Sequence, residues 1–240
     1  MINLLKAREI SKRMELIIQP KIFESFPDLK VGVIIAQNLN NAGESEEIYK
    51  LLREAEKNLP QEFANYEAPS QHPKILAWRQ AYKKFNSKPQ DYRSSIESLA
   101  RRVLKGGQIQ HINKLVDLYN YISLKYLATV GGEDINTIQG NVQLDFAKGD
   151  EQFVRLGGTE NEPPKAGEVV YKDDLGVLCR RWNWREAERT KLTEKTTSAI
   201  LVIEGLAPMT IESITTATKD LADLIQQFCG GETNFKIISN

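Results

Sequence analysis

The chain has 240 residues, 41% hydrophobic and 27% charged, ordinary values for a globular protein able to bury a substantial core. Its 32 basic and 32 acidic residues cancel, which argues against a protein that coats nucleic acid through bulk charge and leaves open a local basic patch. No apolar run approaches the roughly 18 residues that a membrane span needs, and the N-terminus has neither a continuous apolar core nor a small-residue cleavage site.

Met14 is a second candidate start, so residues 1–13 read as an N-terminal extension ahead of a single domain over 14–240. Glu15–Gln19 predicts a short strand ended by Pro20, and Lys21–Ser25 a turn of helix. Lys30–Gln37 is an almost unbroken run of apolar and β-branched residues, as in a central strand buried on both faces. Four helices follow: Glu44–Phe63, His72–Phe85 with Pro73 in its first turn, a helix capped by Ser94 or Ser95 and running to Val103, and Ile112–Tyr126. From Ile135 onward short apolar stretches alternate with Gly, Pro, Asn and Asp. They predict strands near 141–146, 152–156, 168–172, 175–182 and 199–204, with a polar loop over 157–167. A last helix, Ile211–Phe228, precedes a closing strand at Phe235–Ile238. Helices first and strands afterwards indicate an α+β fold rather than repeated βαβ units.

Familiar reaction motifs are missing: there is no P-loop, no G-x-S-x-G, no G-x-G-x-x-G after a strand and no H-x-x-x-H. The doublets Gly106-Gly107, Gly131-Gly132, Gly157-Gly158 and Gly230-Gly231 read as turns or helix stops. Cys179 and Cys229 supply neither a disulfide framework nor, with the isolated His72 and His111, a zinc site. The expectation is a reduced, cytoplasmic protein with no metal and no cofactor.

Two basic segments stand out. Cys179–Arg185 interleaves three arginines with Trp182, Asn183 and Trp184. As a strand it places Arg181, Asn183 and Arg185 on one face and Arg180, Trp182 and Trp184 on the other. That suits a base-stacking, phosphate-binding surface, or equally an amphipathic strand with its tryptophans in the core. The second segment carries Arg79, Lys83, Lys84, Lys88, Arg93, Arg101, Arg102 and Lys105 among the aromatics Trp78, Tyr82, Phe85 and Tyr92. It reads either as a contact surface for an RNA backbone or as a solvated face over an aromatic core.

The stretch Leu115-Val116-Asp117-Leu118-Tyr119-Asn120-Tyr121-Ile122-Ser123-Leu124 resembles the V-D-x-x-N-Y-x-x-L segment of the B3/B4 editing domain of the phenylalanyl-tRNA synthetase beta subunit. The likeness continues through Asp134-Ile135, Gly140 and Glu151-x-Phe153-x-x-Leu156-Gly157, and returns over Thr193–Glu204. His72-Pro73, Trp78-Arg79, Ser94–Glu97 and Arg181–Asn183 look like freestanding proteins made of this domain alone. The resemblance implies a layered, mixed-sheet sandwich core with flanking helices, and a pocket that hydrolyses mischarged aminoacyl-tRNA in trans, with tRNA or aminoacyl-tRNA as partner. It implies a pocket lined by Asn120, Gly131, Gly132, Asp134, Arg181, Asn183 and Glu204, and tRNA contacts at Arg79, Lys83, Arg93, Arg101 and Arg102.

Two departures bear on activity. The family's pocket histidine falls on Gly131, and its glycine-rich pocket strand falls on or near Arg180–Arg185. Larger side chains there shrink or recharge the pocket. The family glutamate that recognises the tyrosine hydroxyl falls within two residues of Glu204 when counted from Thr196, so tyrosine specificity is not carried over. The alternatives are a non-catalytic module that binds RNA or a small ligand, and a small-molecule hydrolase that no longer uses tRNA. No catalytic residue is assigned.

Overall fold

The computed structural model describes residues 14–240, so the extension expected over 1–13 lies outside the described residues. Strands β1 (Leu16–Ile18), β4 (Val142–Phe146), β5 (Val169–Lys172), β6 (Val177–Arg180) and β7 (Arg185–Glu186) form one sheet in that order. The β1–β4 pair is parallel and the others antiparallel. Strands β3 (Thr129–Asp134), β8 (Ser198–Gly205), β2 (Lys30–Gln37) and β9 (Glu232–Ser239) form a second sheet, antiparallel throughout. Among the described residues six α-helices flank the sheets: α1 (Pro20–Ser25), α2 (Glu46–Glu62), α3 (Pro73–Lys84), α4 (Ser95–Leu104), α5 (Lys114–Tyr126) and α6 (Ile211–Cys229). The fold is α+β, as expected, with two sheets and helices around them.

Local chemistry explains the helix ends. The side chains of Ser94, Asn113 and Thr210 cap α4, α5 and α6 by accepting from backbone N–H groups three residues on. Ser213 returns the favour to the Thr210 N–H, closing a capping box. Gly230, at φ +67°, ends α6 where a side chain would be strained.

β2 and β8 are central and buried on both faces. The side of β8 carrying Ile200, Val202 and Glu204 faces the other sheet, and the side carrying Ala199, Leu201 and Ile203 meets α5 and α6. Two cores result. One joins Trp78, Tyr82, Ile96, Leu144, Tyr171 and Trp182 between the sheets and under α3 and α4. The other joins Leu118 and Ile122 of α5 with Leu221 and Ile225 of α6 against Ile34 and Leu201. α6 lies so close to β2 that a Cβ on Gly32 would sit 1.8 Å from Thr218 Oγ1. Only glycine permits that approach.

Three expectations are corrected. Gly131-Gly132 is not a turn but the middle of β3, paired with Val202 and Leu201. The strand expected over 152–156 is reduced to two isolated bridges, Val154 with Asn161 and Arg155 with Ala187. The segment 180–185 is not one alternating strand. Arg180 pairs directly with Arg185, and residues 181–184 form a tight hairpin loop with Arg181 and Trp182 at φ +48° and +69°. Left-handed backbone is costly for such bulky residues, so tertiary contacts must hold it. No helix among the described residues is long and apolar enough to cross a membrane.

Candidate functional site

A chamber lies between the two sheets. Its floor is the inward face of β3 and β8, where Thr129, Gly131 and Glu133 stand opposite Glu204, Val202 and Ile200. Tyr171, Leu178, Cys179 and Glu186 come from the other sheet, and the 181–184 loop adds Trp182 and Asn183. The enclosed volume is about 40 Å³, room for a few waters or one small group. At Gly132 and Glu186 the chamber adjoins a second, more open cleft of about 600 Å³, bordered by Asn113, Tyr119, Leu156, Lys191, Thr193 and Lys195.

The chamber's two ends differ in chemistry. At one end Glu204 is 1% exposed and its carboxylate accepts from four donors. Tyr171 Oη and Trp182 Nε1 each lie 2.6 Å from Oε1, while Asn183 Nδ2 and Thr129 Oγ1 each lie 3.1 Å from Oε2. Burial raises the Glu204 pKa and the four donors oppose that rise. Asn183 is fixed in turn, its Oδ1 accepting from Tyr82 Oη at 2.8 Å. This end is a saturated polar frame.

At the other end Glu133 and Glu186 bring two carboxyl groups together. Glu133 is 7% exposed. Its pKa is raised well above the usual range by burial first and by Glu186 second, and burial raises Glu186 as well. Cys179 pairs with Glu186 across the β6–β7 ladder. Burial and then the charges of Glu186, Glu133 and Glu204 push its thiol far up. A thiol so placed stays protonated and is no nucleophile.

The cleft's rim is held by an amide network. Asn41 Nδ2 donates to Asn113 Oδ1 and to the Thr193 carbonyl, and Asn113 Nδ2 donates to the Leu192 carbonyl. These bonds tie the 192–193 backbone to the start of α5.

Of the seven expected pocket residues, Gly131, Gly132, Asn183 and Glu204 line the chamber. Asn120 is buried on α5, outside the lining of both cavities. The Asp134 carboxylate accepts from Thr196 Oγ1 at 2.7 Å and from the Asn136 N–H at 2.9 Å, so it braces the rim segment instead. Arg181 points away from the chamber. With Arg180 it pairs with the buried Glu168: Arg180 binds it in bidentate fashion at 2.9 and 3.0 Å, and Arg181 Nη1 lies 3.3 Å away. The Arg181 guanidinium also stacks 3.5 Å over the Tyr92 ring. Neither arginine is therefore left for a ligand phosphate.

The five expected tRNA contacts divide as well. Arg79, Arg93 and Arg101 converge on Glu97, which is 0% exposed, with N···O distances of 2.8, 3.9 and 2.9 Å. This cluster locks α3 to α4. Lys83 and Arg102 are exposed and have no carboxylate partner among the described residues. His72 caps α3 and His111 Nδ1 lies 2.5 Å from Asp117 Oδ2. Among the described residues no group of three or more His, Cys, Asp or Glu is placed to hold a metal.

Sequence reasoning missed Tyr171, Glu133 and Glu186. A strand over 129–134 would have put Glu133 on the same face as Gly131, and that alternation was the available signal.

A family model described as the B3/4 domain matches residues 77–230. A curated phenylalanine–tRNA ligase beta subunit from Photorhabdus laumondii is 27% identical over 111 residues, which are 46% of this chain and 14% of that one. The chain thus matches about a seventh of that relative's length. A crystal structure of an N-terminal fragment of the phenylalanyl-tRNA synthetase beta-subunit from Pyrococcus horikoshii aligns over 95% of this chain and 55% of its own, with a TM-score of 0.48 and 11% identity.

Proposed function

The chain belongs to the B3/4 domain family, and from that premise we propose that it is an editing-type domain that hydrolyses the ester of a mischarged aminoacyl-tRNA. The observation that carries this reading is the chamber behind the cleft, joined to it at Gly132 and Glu186. An aminoacyl group enters the chamber while the terminal ribose and base stay in the cleft. An apolar cavity of about 150 Å³ is needed to take a benzene ring, whereas this chamber holds about 40 Å³. On this reading the side chain admitted is small rather than aromatic.

Catalysis rests on placement. Asn183, Glu204 and the open backbone at Gly131 and Gly132 shape the chamber, and water attacks the ester carbonyl at its mouth. Lys195 and Lys191, the latter paired with Glu188, stand at the cleft beside the path of the tRNA end. Lys83 and Arg102 remain as contacts to phosphate elsewhere on the surface. Incubation with a panel of mischarged tRNAs is the direct test, and ester loss no faster than in buffer across the whole panel refutes it.

A second reading, a module that binds tRNA without catalysis, is favoured by the protonated Cys179 thiol and by glycine at position 131. Titration with uncharged tRNA at two salt concentrations separates the two, because salt-sensitive binding without deacylation supports the module. Charge reversal at Lys83 and Arg102 should lower the salt dependence by about one unit of slope per contact.

A further inference from the structure

We propose that Glu133 and Glu186 form a receptor for a primary ammonium group on the ligand, set where the chamber meets the cleft. Glu186 lines both cavities and Glu133 lines the chamber. Each has one oxygen, Oε2, that is buried from solvent and has no hydrogen-bond partner. A buried acceptor without a donor is costly, and a buried carboxylate without a counter-charge more so.

Among the described residues no cation is paired with these two carboxyls. Arg189 is the guanidinium nearest in effect, and its nitrogens are held by Asp173 at 2.7 and 2.9 Å and by the Thr137 carbonyl at 2.7 Å. The other groups that face the pair are the Thr190 hydroxyl beside Glu133, Tyr119 from α5, Cys179 from β6 and, further along the chamber, Tyr171 from β5 and Glu204 from β8. All are neutral or acidic. The Thr190 hydroxyl and the Cys179 thiol are neutral donors and leave the charge uncompensated, so the two carboxyls left alone hold one proton between them.

What fits is a small group with several donors and one positive charge. A primary ammonium has three N–H bonds, two for the carboxylates and one for water or the ligand itself. A divalent metal would need further ligands, and no third His, Cys, Asp or Glu completes a cluster among the described residues. The chamber as a whole offers only about 40 Å³, which favours a compact ammonium over a planar guanidinium. Gly131 keeps that space open, since a Cβ there would lie 3.1 Å from Glu186 Oε1. The exchange balances: the ammonium enters, the shared proton leaves to solvent, and two carboxylates remain around one cation.

This deepens the editing reading and rests on it for the ligand's identity, the α-ammonium of the aminoacyl group. The receptor itself is tested without tRNA. L-Alaninamide hydrochloride and N-acetyl-L-alaninamide are titrated by calorimetry at pH 6.5–7 in two buffers of different ionisation enthalpy. The wild-type protein should bind the ammonium form at least tenfold more tightly than the acetylated one, with release of up to one proton. Glu133→Gln and Glu186→Gln should each erase the preference and the proton release while the melting transition remains cooperative. Equal binding of the two amides, no binding of either, or a preference that survives both substitutions overturns the receptor. Proton release is read on the wild-type protein, so the test stands even if a variant fails to fold. Deacylation without ammonium preference would sink the receptor alone, and ammonium preference without deacylation would sink the editing reading alone.

Discussion

Tyr171→Phe removes one oxygen and tests the polar frame at the closed end of the chamber. Tyr171 is 5% exposed and donates at 2.6 Å to Glu204, itself 1% exposed. A hydrogen bond to a charged group contributes about 1.5–3 kcal/mol. Trp182, Asn183 and Thr129 still hold the carboxylate, so the charge is not orphaned and the larger penalty for stranding it does not apply. Water in the adjoining space offsets part of the loss. The expected destabilisation is about 2 kcal/mol, or a fall of about 4–8 °C in Tm for a protein of this size. Urea unfolding and calorimetry at neutral pH measure both.

The pH dependence sharpens this test. Glu204 has a folded pKa raised by burial. Its contribution to stability is therefore greatest below the unfolded glutamate range and is lost as pH rises through the raised folded value. The Tyr171 bond to the ionised form matters most above that value. The Tyr171→Phe penalty should thus shrink toward about 1 kcal/mol in acid, where Glu204 is protonated and the bond is between neutral groups. A variant within 0.5 kcal/mol of wild type at neutral pH, or a penalty that grows in acid, would refute the account of Glu204 as a carboxylate held by four donors.

Three further outcomes follow from the same geometry. Glu97→Ala should cost about 3 kcal/mol in urea unfolding, because three guanidinium groups lose one buried partner. Gly32→Ala should be disruptive, about 3 kcal/mol or more by the same measurement, since the new methyl would meet Thr218 Oγ1 at 1.8 Å; adding Thr218→Ala should recover part of the loss. Glu133 and Glu186 carry raised folded pKa values, so their contribution is present at low pH and declines as pH rises through those values. Glu133→Gln should accordingly flatten the fall in stability above the ordinary glutamate range, and a variant that keeps the wild-type slope between pH 5 and 8 would count against the shared proton.

Patterns of short range carried most of the architecture. The apolar run Lys30–Gln37 marked β2 as central, and the periodicity of 112–126 and 211–228 located α5 and α6 within a few residues. Capping residues such as Ser94 and Gly230 marked ends because they act within one turn of chain. Asn183 and Glu204 were expected at a pocket through the family resemblance, and both line the chamber.

What stayed hidden depends on partners far along the chain. Arg180 and Arg181 looked available for phosphate because their counter-ion, Glu168, is more than ten residues away on another segment. Arg79, Arg93 and Arg101 looked like an RNA surface because only the packing of α3 on α4 brings them to Glu97. The hairpin at Arg181 and Trp182 has no glycine to announce its left-handed backbone. The burial of Trp182 against Phe26 and Trp78, together with the Glu168 ion pairs, holds it in place. Glu133 and Glu186 lie 53 positions apart in the sequence, and their meeting is a product of two sheets facing each other. A carboxyl group's role is set by what surrounds it, and only the folded chain supplies those surroundings.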